Sequence, residues 1–208
     1  MLIQDIEKLK KTEAGNTVRK RINEFKELGK KSEKEIFKEL CFCILTANFS
    51  AERSILIQNK IGDGFLTFSE SRLAEKLSEL GYRFPNARAK YVVEARRYAN
   101  NLKKIIKSFD DEFELREWLT DNIKGLGYKE SSHFLRNIGF KNSAIIDFHI
   151  VDILVRNKLI KKPKNKSLSR KKYIEIEDIL KEIAKKVSLS LAELDLYMWF
   201  LETGKVLK

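Results

Sequence analysis

The stretch from Asn122 to Ile150, NIKGLGYKESSHFLRNIGFKNSAIIDFHI, decides how this chain folds. Its letters IKGLG, residues 123–127, separate two patterns of helical apolar spacing, Glu112–Thr120 and Tyr128–Asn137. Two glycines with one residue between them allow a hairpin so tight that its backbone amides face a phosphate at the start of the second helix. A plain helix–helix corner has the same letters. The stretch therefore predicts two helices joined by a tight turn, with phosphate binding as one of two interpretations.

Helical signals continue outward from this stretch in both directions. The chain has only two prolines and nine glycines, most segments repeat apolar residues at helical spacing, and no segment alternates in the manner of a strand. Several helix boundaries carry a recognisable capping or terminating residue. These are Ser32 with Glu35, Pro85, Ser190 with Glu193, and Gly204. The sequence predicts an all-α protein.

The charge balance indicates the kind of partner. The 42 Lys and Arg residues exceed the 30 Asp and Glu residues, so the formal net charge is +12. A basic protein favours a polyanionic partner, and nucleic acid is the most common one. A high density of Lys and Glu is also typical of thermophile proteins, whose surplus lysines are often only solvated surface. Charge alone does not decide between these interpretations.

The cysteines and the N-terminus bear on the compartment. Cys41 and Cys43 lie two positions apart in an apolar helical pattern, so they point to different faces and cannot jointly hold a metal. We expect buried thiols in a reducing compartment. The start MLIQDIEKLKK lacks the apolar core of a signal peptide, and no apolar run approaches the ~20 residues of a membrane span. The expected location is cytoplasmic, associated with the nucleoid, without a membrane partner.

Lys129 is the first candidate for chemistry. It falls in the first turn of the helix after the hairpin, where the positive end of the helix macrodipole and surrounding protein disfavour a charged ammonium. A lysine kept partly neutral is a nucleophile. The alternative is an ordinary surface lysine.

Asp147 is the second candidate, eighteen residues after Lys129 and directly after the apolar run at 144–146. The run predicts that the carboxylate emerges from the core at the N-cap of the helix HIVDILVRNKL, where amide hydrogen bonds keep it ionised and fixed. A fixed anion near an amine suits cleavage of an N-glycosidic bond, because positive charge develops on the sugar as the base leaves. The alternative is a cap without a catalytic role.

These residues resemble a known family. The hairpin IKGLGYKESSHFLRN followed by AIIDFHI is similar to the helix-hairpin-helix DNA glycosylases, and specifically to the archaeal-type 8-oxoguanine DNA glycosylase/lyases. Three other segments resemble that family as well. They are LCFCILTANFS (40–50), LGYRFPNARAKYVVEARR (80–97) and LDLYMWFLETGKVLK (194–208). The resemblance covers most of the chain.

The resemblance implies a fold of two helical lobes with the active-site cleft between them. We expect one lobe to be built from the terminal helices, residues 1–48 and 142–208. The central lobe is expected to take residues 49–141, including the hairpin at 122–128.

The resemblance also implies base excision repair, in which 8-oxoguanine is removed from duplex DNA and the strand is nicked. In that family the lysine matching Lys129 attacks the sugar C1′ and forms a Schiff base that permits β-elimination. The aspartate matching Asp147 activates this lysine and stabilises the sugar cation. The chain departs from the archaeal-type pattern at Phe148, where that pattern usually has arginine. We expect this change to remove a phosphate contact without loss of activity.

Four residues outside the hairpin are expected to bind DNA. His149 matches a histidine that contacts a phosphate. Asn48, Tyr82 and Arg83 resemble the residues with which such enzymes wedge the duplex and bond the cytosine left opposite the flipped base. Without the resemblance, His149 would be a partly exposed helix residue, and Tyr82 with Arg83 a surface pair at a helix start.

The pocket for the flipped base is expected to use three residues. Trp199 is similar to an aromatic on which the base stacks, and His133 lies one turn after Lys129 on the same helix face. The carboxylate of Lys208 is expected to accept the N7 hydrogen that distinguishes 8-oxoguanine from guanine. Core packing of His133 and Trp199, and a frayed chain end at Lys208, are the alternatives.

The hairpin carries the remaining expectations. Gly125 and Gly127 would present amides to a phosphate, and the backbone carbonyls of Asp121, Ile123 and Leu126 could hold a structural monovalent or hard cation. No cofactor is expected to be required, because the cysteine cluster of the iron–sulfur branch is missing from the sequence near the C-terminus.

The partner is expected to be double-stranded DNA containing 8-oxoguanine, bound by a monomer. Two other functions stay open at this point. One is a helix-hairpin-helix glycosylase for another lesion, such as an oxidised pyrimidine or a mismatched base. The other is a non-catalytic DNA-binding module, which would need neither Lys129 nor Asp147.

Overall fold

The structure, a computed structural model, describes residues 2–163, 165 and 167–208. Within these residues there are α-helices and one short 3-10 helix (Arg96–Tyr98) but no strand, so the all-α prediction is confirmed. The helices are α1 Leu2–Leu9, α2 Glu13–Lys30, α3 Glu33–Thr46, α4 Ala51–Ile61, α5 Gly64–Thr67, α6 Glu70–Glu79, α7 Pro85–Ala95, α8 Leu102–Lys107, α9 Glu112–Asn122, α10 Tyr128–Asn137, α11 Phe148–Arg156, α12 Arg170–Lys186 and α13 Leu191–Thr203. None of those in the described residues combines the length and apolarity needed to cross a membrane.

Helix boundaries follow the capping signals in most places. Pro85 is the first residue of α7. At the start of α13, the Ser190 hydroxyl accepts a hydrogen bond from Glu193 N at 3.2 Å, and the Glu193 carboxylate accepts one from Ser190 N at 2.8 Å. Gly204 ends α13 with φ +71°, a left-handed conformation that glycine adopts at low cost. These three predictions are confirmed.

The boundary at Ser32 is correct, but its predicted capping box does not form. Helix α3 begins at Glu33 after Ser32, whose side chain makes no capping hydrogen bond. Glu35 instead lies 2.5 Å from Lys38 Nζ. The ion pair one turn along the helix therefore takes the carboxylate that the capping box needs.

The hairpin between α9 and α10 has the predicted tight form. Leu126 N donates to Ile123 O at 3.1 Å and closes the turn. Gly125 has φ +92°, and a Cβ there would lie 2.6 Å from Cδ2 of Tyr91. Both the backbone conformation and the close approach of Tyr91 therefore require glycine at this position.

Buried apolar side chains form two clusters. One extends from Ile36 to Ile138, and the other combines Leu2–Phe25 with Ala144–Met198. The two clusters divide between Ile138 and Ala144. Helix α3, expected in the lobe of terminal helices, contributes its side chains to the central cluster instead.

The burial of α3 explains this difference. From Ile36 onward most of its residues are buried on every face, and it contacts α4, α7, α8 and α10 as well as α2. An apolar pattern around the whole helix predicts burial but not which lobe the helix belongs to. Cys41 and Cys43 lie within it as free, fully buried thiols, as expected. Burial raises the pKa of both thiols well above the usual range.

Candidate active site

Lys129 is the second residue of α10, directly after the hairpin. Backbone N–H groups of a first helical turn have no helical acceptor, so this end of α10 can bind an anion. The Lys129 side chain is 23% exposed, and its Nζ lies 3.4 Å from Glu130 Oε1. Glu130 Oε2 accepts a hydrogen bond from Gly127 N at 3.2 Å. The amine is therefore accessible, and the carboxylate beside it is tied to the hairpin.

Asp147 is the N-cap of α11, as predicted. Its Oδ1 accepts a hydrogen bond from Ile150 N at 3.0 Å. The preceding residues Ala144, Ile145 and Ile146 are all buried, while Asp147 itself is half-buried. The carboxylate therefore stands at the edge of the core, fixed by the amide of its own helix.

The charges of Lys129 and Asp147 both act on one buried carboxylate, that of Asp195 on α13. Burial raises the pKa of Asp195 to about 6, opposed mainly by the paired Arg136 guanidinium. The charge of Asp147 adds to this rise, and the charge of Lys129 opposes it. Within the described part of the chain, Lys129 and Asp147 form no direct ion pair. Both candidates therefore lie in the electrostatic neighbourhood of Asp195.

His133, one turn after Lys129, faces into this neighbourhood. Burial lowers the pKa of His133 well below its usual value, and the positive charges of Arg136 and Lys129 lower it further. A neutral imidazole has one donor and one acceptor nitrogen. Its ring packs edge-on against Phe42 at 5.5 Å between centroids.

Three buried nitrogens of this region have no hydrogen-bond partner in the described residues. They are Nδ1 and Nε2 of His133 and Nε1 of Trp199. Buried polar atoms in folded proteins usually have a partner, because leaving one unpaired costs about 1–3 kcal/mol. These atoms are therefore available to hydrogen-bond a ligand, while the Lys208 backbone also approaches His133 and partly opposes the lowering of its pKa.

Lys208 is docked beside the same aromatic ring. Its Nζ lies 4.3 Å from the centroid of Phe42 and donates to Glu39 Oε2 at 2.7 Å and to Gln58 Oε1 at 2.5 Å. The chain end at Lys208 is therefore held in place and is not frayed. Glu39 is 2% exposed, and it also accepts a hydrogen bond from Asn137 Nδ2 at 2.6 Å.

Sequence reasoning missed Glu39 and Gln58 as supports of this residue. A signal for Glu39 did exist, because it is the one carboxylate within the apolar pattern IFKELCFCILTA of α3 after its first turn. A buried charge requires a partner. That partner lies 169 residues along the chain.

His149 connects the pocket with the surface. Its ring centroid lies 4.7 Å from that of Trp199 and 3.9 Å from that of Phe148. Trp199 and His149 are half-buried, whereas Phe148 is 68% exposed. The rings of Trp199, His149 and Phe148 thus form a row from the buried indole nitrogen to the exposed surface beside Asp147.

The structure corrects the expectation for Tyr82. The side chain is 4% exposed, its hydroxyl donates to Leu45 O at 2.6 Å, and its ring packs against Phe49 at 4.3 Å. Tyr82 therefore packs beneath the loop after α3, and its ring is not exposed on the surface where it could wedge into a duplex. Arg83 is exposed, with its guanidinium 4.9 Å from the ring of Phe84.

Asn48 lies on an exposed turn that is joined to the hairpin. It has φ +58°, a conformation uncommon for a residue other than glycine. Arg88 Nη2 donates to Ala47 O at 3.1 Å, and the Arg88 guanidinium lies 5.4 Å from the ring of Tyr91. Since Tyr91 also contacts Gly125, one chain of contacts holds the Asn48 turn and the hairpin together.

A cation at the hairpin would depend on backbone oxygens. No cluster of three metal-binding His, Cys, Asp or Glu side chains occurs in the described residues. Asp121 is in the last turn of α9, where carbonyls lack a helical donor. Ile123 O accepts one hydrogen bond, from Leu126 N, and a carbonyl oxygen has a second lone pair. The carbonyls expected from the sequence therefore fit a hard cation chemically.

Known proteins that are similar to this chain share one functional description. A family model described as 8-oxoguanine DNA glycosylase matches residues 18–189. The 8-oxoguanine DNA glycosylase/AP lyase of Methanocaldococcus jannaschii is 57% identical over 208 residues, which cover 100% of both chains. The protein of the same description from Korarchaeum cryptofilum is 53% identical over 207 residues, covering 100% of this chain and 98% of the relative.

Solved structures agree with these relatives. The crystal structure of the Methanocaldococcus jannaschii 8-oxoguanine glycosylase/lyase in complex with a 15mer DNA containing 8-oxoguanine matches with a TM-score of 0.97 and 56% identity over 100% of both chains. The 8-oxoguanine DNA glycosylase of Thermotoga maritima matches with a TM-score of 0.93 and 44% identity, over 100% of this chain and 98% of the other. The resemblance inferred from the sequence is confirmed, and the chain belongs to the 8-oxoguanine DNA glycosylase family.

Proposed function

We propose that this protein excises 8-oxoguanine from duplex DNA and then nicks the strand, as a bifunctional glycosylase and AP lyase of base excision repair. The observation that carries the proposal is the pairing of an accessible amine, Lys129 in the first turn after the hairpin, with a fixed carboxylate, Asp147 at the N-cap of α11. Relatives described as 8-oxoguanine DNA glycosylase/AP lyase support it at 53–57% identity. A non-catalytic DNA-binding module would need neither side chain.

Lys129 is proposed as the nucleophile. Its amine forms a bond to the sugar C1′ while the glycosidic bond breaks and the base leaves with its electron pair. Asp147 takes the proton that the amine sheds and stabilises the positive charge that develops on the sugar. Opening of the sugar ring gives a Schiff base on Lys129. Loss of a C2′ proton from that Schiff base then expels the 3′ phosphate by β-elimination.

The flipped base is proposed to enter the region of unpartnered nitrogens. Trp199 would provide a stacking surface, and the neutral His133 would hydrogen-bond the edge of the base. Lys208 completes this pocket, held beside Phe42 by its ammonium. A purine edge carries both donors and acceptors, which matches the one donor and one acceptor nitrogen of neutral His133.

The DNA backbone is proposed to cross the hairpin. Amides at Gly125 and the first turn of α10 would hold a phosphate without reading sequence, and Gly127 N would exchange its hydrogen bond with Glu130 for one to that phosphate. His149 would contact another phosphate. Asn48 and Arg83, both exposed, would enter the duplex where the base has left it. Extrusion of a base needs such a substitute to keep the stack closed.

We further propose that the carbonyls of Asp121, Ile123 and Leu126 hold a monovalent or hard cation that supports phosphate binding, with no part in the chemistry. The protein is proposed to act as a monomer, inside the cell and at the nucleoid, where its DNA substrate lies. The two-lobe organisation with a cleft between the lobes stays a proposal. Since α3 packs into the central cluster, its N-terminal boundary moves from residue 48 to the segment between Phe25 and Ile36.

The test is covalent trapping with borohydride, which reduces a Schiff base to a stable protein–DNA adduct. Wild-type protein should be trapped on duplex containing 8-oxoguanine, and Lys129→Gln should abolish the adduct. Lys172→Gln is the matched control, since Lys172 is also a first-turn lysine, on α12, with a neighbouring Glu175 carboxylate.

Two outcomes would contradict the proposal. Wild-type protein that binds lesion DNA but never traps would be a DNA-binding module. Trapping on an oxidised pyrimidine or a mismatch, without trapping on 8-oxoguanine, would show a glycosylase for another lesion.

A further inference from the structure

The segment that carries Asp147 is held by buried side chains. Residues 141–147, the later part of the connection between α10 and α11, have no helical structure and no strand partner in the described residues. At its start, the Glu112 carboxylate accepts hydrogen bonds from Asn142 N at 3.0 Å and from the Ser143 hydroxyl at 2.6 Å. The position of the segment therefore depends on the side chains that bond its backbone.

Nearer to Asp147, two side chains of α12 take over this role. The Tyr173 hydroxyl donates to Ala144 O at 2.7 Å and accepts from Ile146 N at 3.1 Å. Glu177 Oε1 accepts from Ala144 N at 2.8 Å. Tyr173 is 3% exposed, and burial raises the pKa of its hydroxyl well above the usual range, so the hydroxyl keeps the proton it donates. The Ile146 amide that it accepts from is adjacent to Asp147.

The same cluster also reaches the helix of Lys129. Arg116 on α9 is 1% exposed and pairs with Glu177 through two hydrogen bonds, Nη1 to Oε1 at 2.6 Å and Nη2 to Oε2 at 2.9 Å. Arg116 Nη1 also donates to the Ser132 hydroxyl on α10 at 3.3 Å. A bidentate pair fixes direction as well as distance. One continuous set of contacts thus runs from α10 to the residue before Asp147.

We propose that Arg116, Tyr173 and Glu177 form a positioning cluster that sets the Asp147 carboxylate relative to the Lys129 amine. This inference rests on the proposed function, in which these two groups act together. The cluster does not touch the substrate. Its effect on the reaction runs through the backbone of residues 144–146.

The Tyr173 hydroxyl is the part of the cluster that can be removed without leaving a buried charge unpaired. Tyr173→Phe keeps the ring and deletes both hydrogen bonds to the segment. Tyr197→Phe is the matched control, because Tyr197 is 2% exposed in the same apolar cluster and makes no hydrogen bond to residues 144–146. Thermal melting of both variants shows whether they are folded at the assay temperature.

The experiment is a double-variant cycle on the single-turnover rate of 8-oxoguanine excision. A small misplacement of a catalytic group slows a reaction by up to about a hundredfold, so we expect Tyr173→Phe to slow excision about tenfold, with duplex affinity within about twofold of wild type. In protein that already carries Asp147→Asn, the same change should alter the rate less than about twofold, because the group it positions is gone. Tyr197→Phe should excise at the wild-type rate.

Amide hydrogen exchange gives a second readout that does not depend on turnover. Ile146 N should exchange faster in Tyr173→Phe than in wild type or Tyr197→Phe, because it has lost its acceptor. Unchanged exchange would show that the hydroxyl does not hold the segment, and would overturn the inference.

The outcomes separate this inference from the proposed function. If Tyr173→Phe slows the Asp147→Asn protein by the same factor as wild type, the hydroxyl acts on something other than Asp147. The positioning role is then wrong, while the proposed function stands. If Asp147→Asn excises 8-oxoguanine as fast as wild type, the proposed role of Asp147 fails, and the inference fails with it.

Discussion

The Lys208 ammonium lies 2.7 Å from Oε2 of Glu39, a carboxylate that is 2% exposed in the middle of helix α3. Gln58 completes the arrangement, since its Nε2 donates to Glu39 Oε2 at 3.2 Å and its Oε1 accepts from Lys208. Lys208 is thereby held against Phe42, which also packs on His133. One buried carboxylate of the central cluster therefore shapes the pocket proposed for the flipped base.

Glu39→Gln should weaken this pocket. The neutral amide keeps the volume of the side chain but removes the counter-charge of Lys208, so the ammonium should leave for solvent. We expect slower excision of 8-oxoguanine and a loss of about 1–3 kcal/mol in the free energy of unfolding. Single-turnover kinetics and thermal melting measure these two effects. Glu35→Gln is the control, because its ion pair with Lys38 is 40% exposed on the carboxylate side and should contribute little. If Glu39→Gln and Glu35→Gln change the excision rate and the free energy of unfolding equally, the ion pair of Glu39 with Lys208 does not support the pocket.

Gly125→Ala should weaken binding to any duplex, with or without a lesion. A methyl group there would lie 2.6 Å from Tyr91 and at φ +92°, so the hairpin must open and its amides must turn away from a phosphate. Gly62→Ala is the matched control, since its φ is +52° but no atom lies within 4 Å of the added carbon. Both variants should lose about 1–2 kcal/mol of stability to backbone strain. Only Gly125→Ala should lose DNA affinity, measured by fluorescence anisotropy on both duplexes. If Gly125→Ala binds DNA as tightly as wild type, the hairpin is not part of the DNA interface.

The fold should become less stable in acid because buried His133 resists protonation. Its pKa is lowered in the folded protein by burial and by Arg136 and Lys129, whereas an unfolded histidine titrates near pH 6.5. Below about pH 6.5 the unfolded chain therefore binds a proton that folded His133 does not. The free energy of unfolding is therefore highest above pH 6.5. It decreases as the pH falls below that value, by up to about 1.4 kcal/mol per pH unit.

The measurement is the difference in melting temperature between wild type and His133→Asn from pH 7.5 to pH 5. The difference should shift in favour of the variant as the pH falls, because asparagine does not titrate. Other titrating groups contribute to both proteins and cancel in this comparison. A difference that stays constant over the range would mean that His133 is not kept neutral in the folded state.

Local signals predicted the elements on which the chemistry depends. The glycine pair at 125 and 127 correctly predicted the hairpin. The position of Lys129 in the first turn of the next helix followed from that prediction. The apolar run before Asp147 correctly predicted a carboxylate at a helix N-cap. These features depend on residues a few positions apart, so sequence spacing determines them directly.

Features that depend on distant partners could not be predicted in the same way. Tyr82 reads as a surface residue at a helix start, but its hydroxyl bonds to Leu45, 37 residues earlier. The pair of Arg116 with Glu177 joins residues 61 positions apart. The sequence around Tyr82 or Arg116 does not identify its partner, and only the packing of the folded chain brings the two together.

Phe148→Arg should restore a phosphate contact that the family pattern implies and this chain lacks. Phe148 is 68% exposed beside Asp147, and its ring stacks on His149, so an arginine there would extend from the first turn of α11 toward the DNA backbone. One additional phosphate contact steepens the dependence of the logarithm of the binding constant on the logarithm of salt concentration by about 0.9. We therefore expect tighter duplex binding at low salt and a steeper salt dependence for Phe148→Arg. Phe148→Leu, which keeps an apolar side chain, should retain the wild-type slope. If arginine left the slope unchanged, the start of α11 would not face a phosphate, and the proposed contact of His149 with the DNA backbone would have to be abandoned as well.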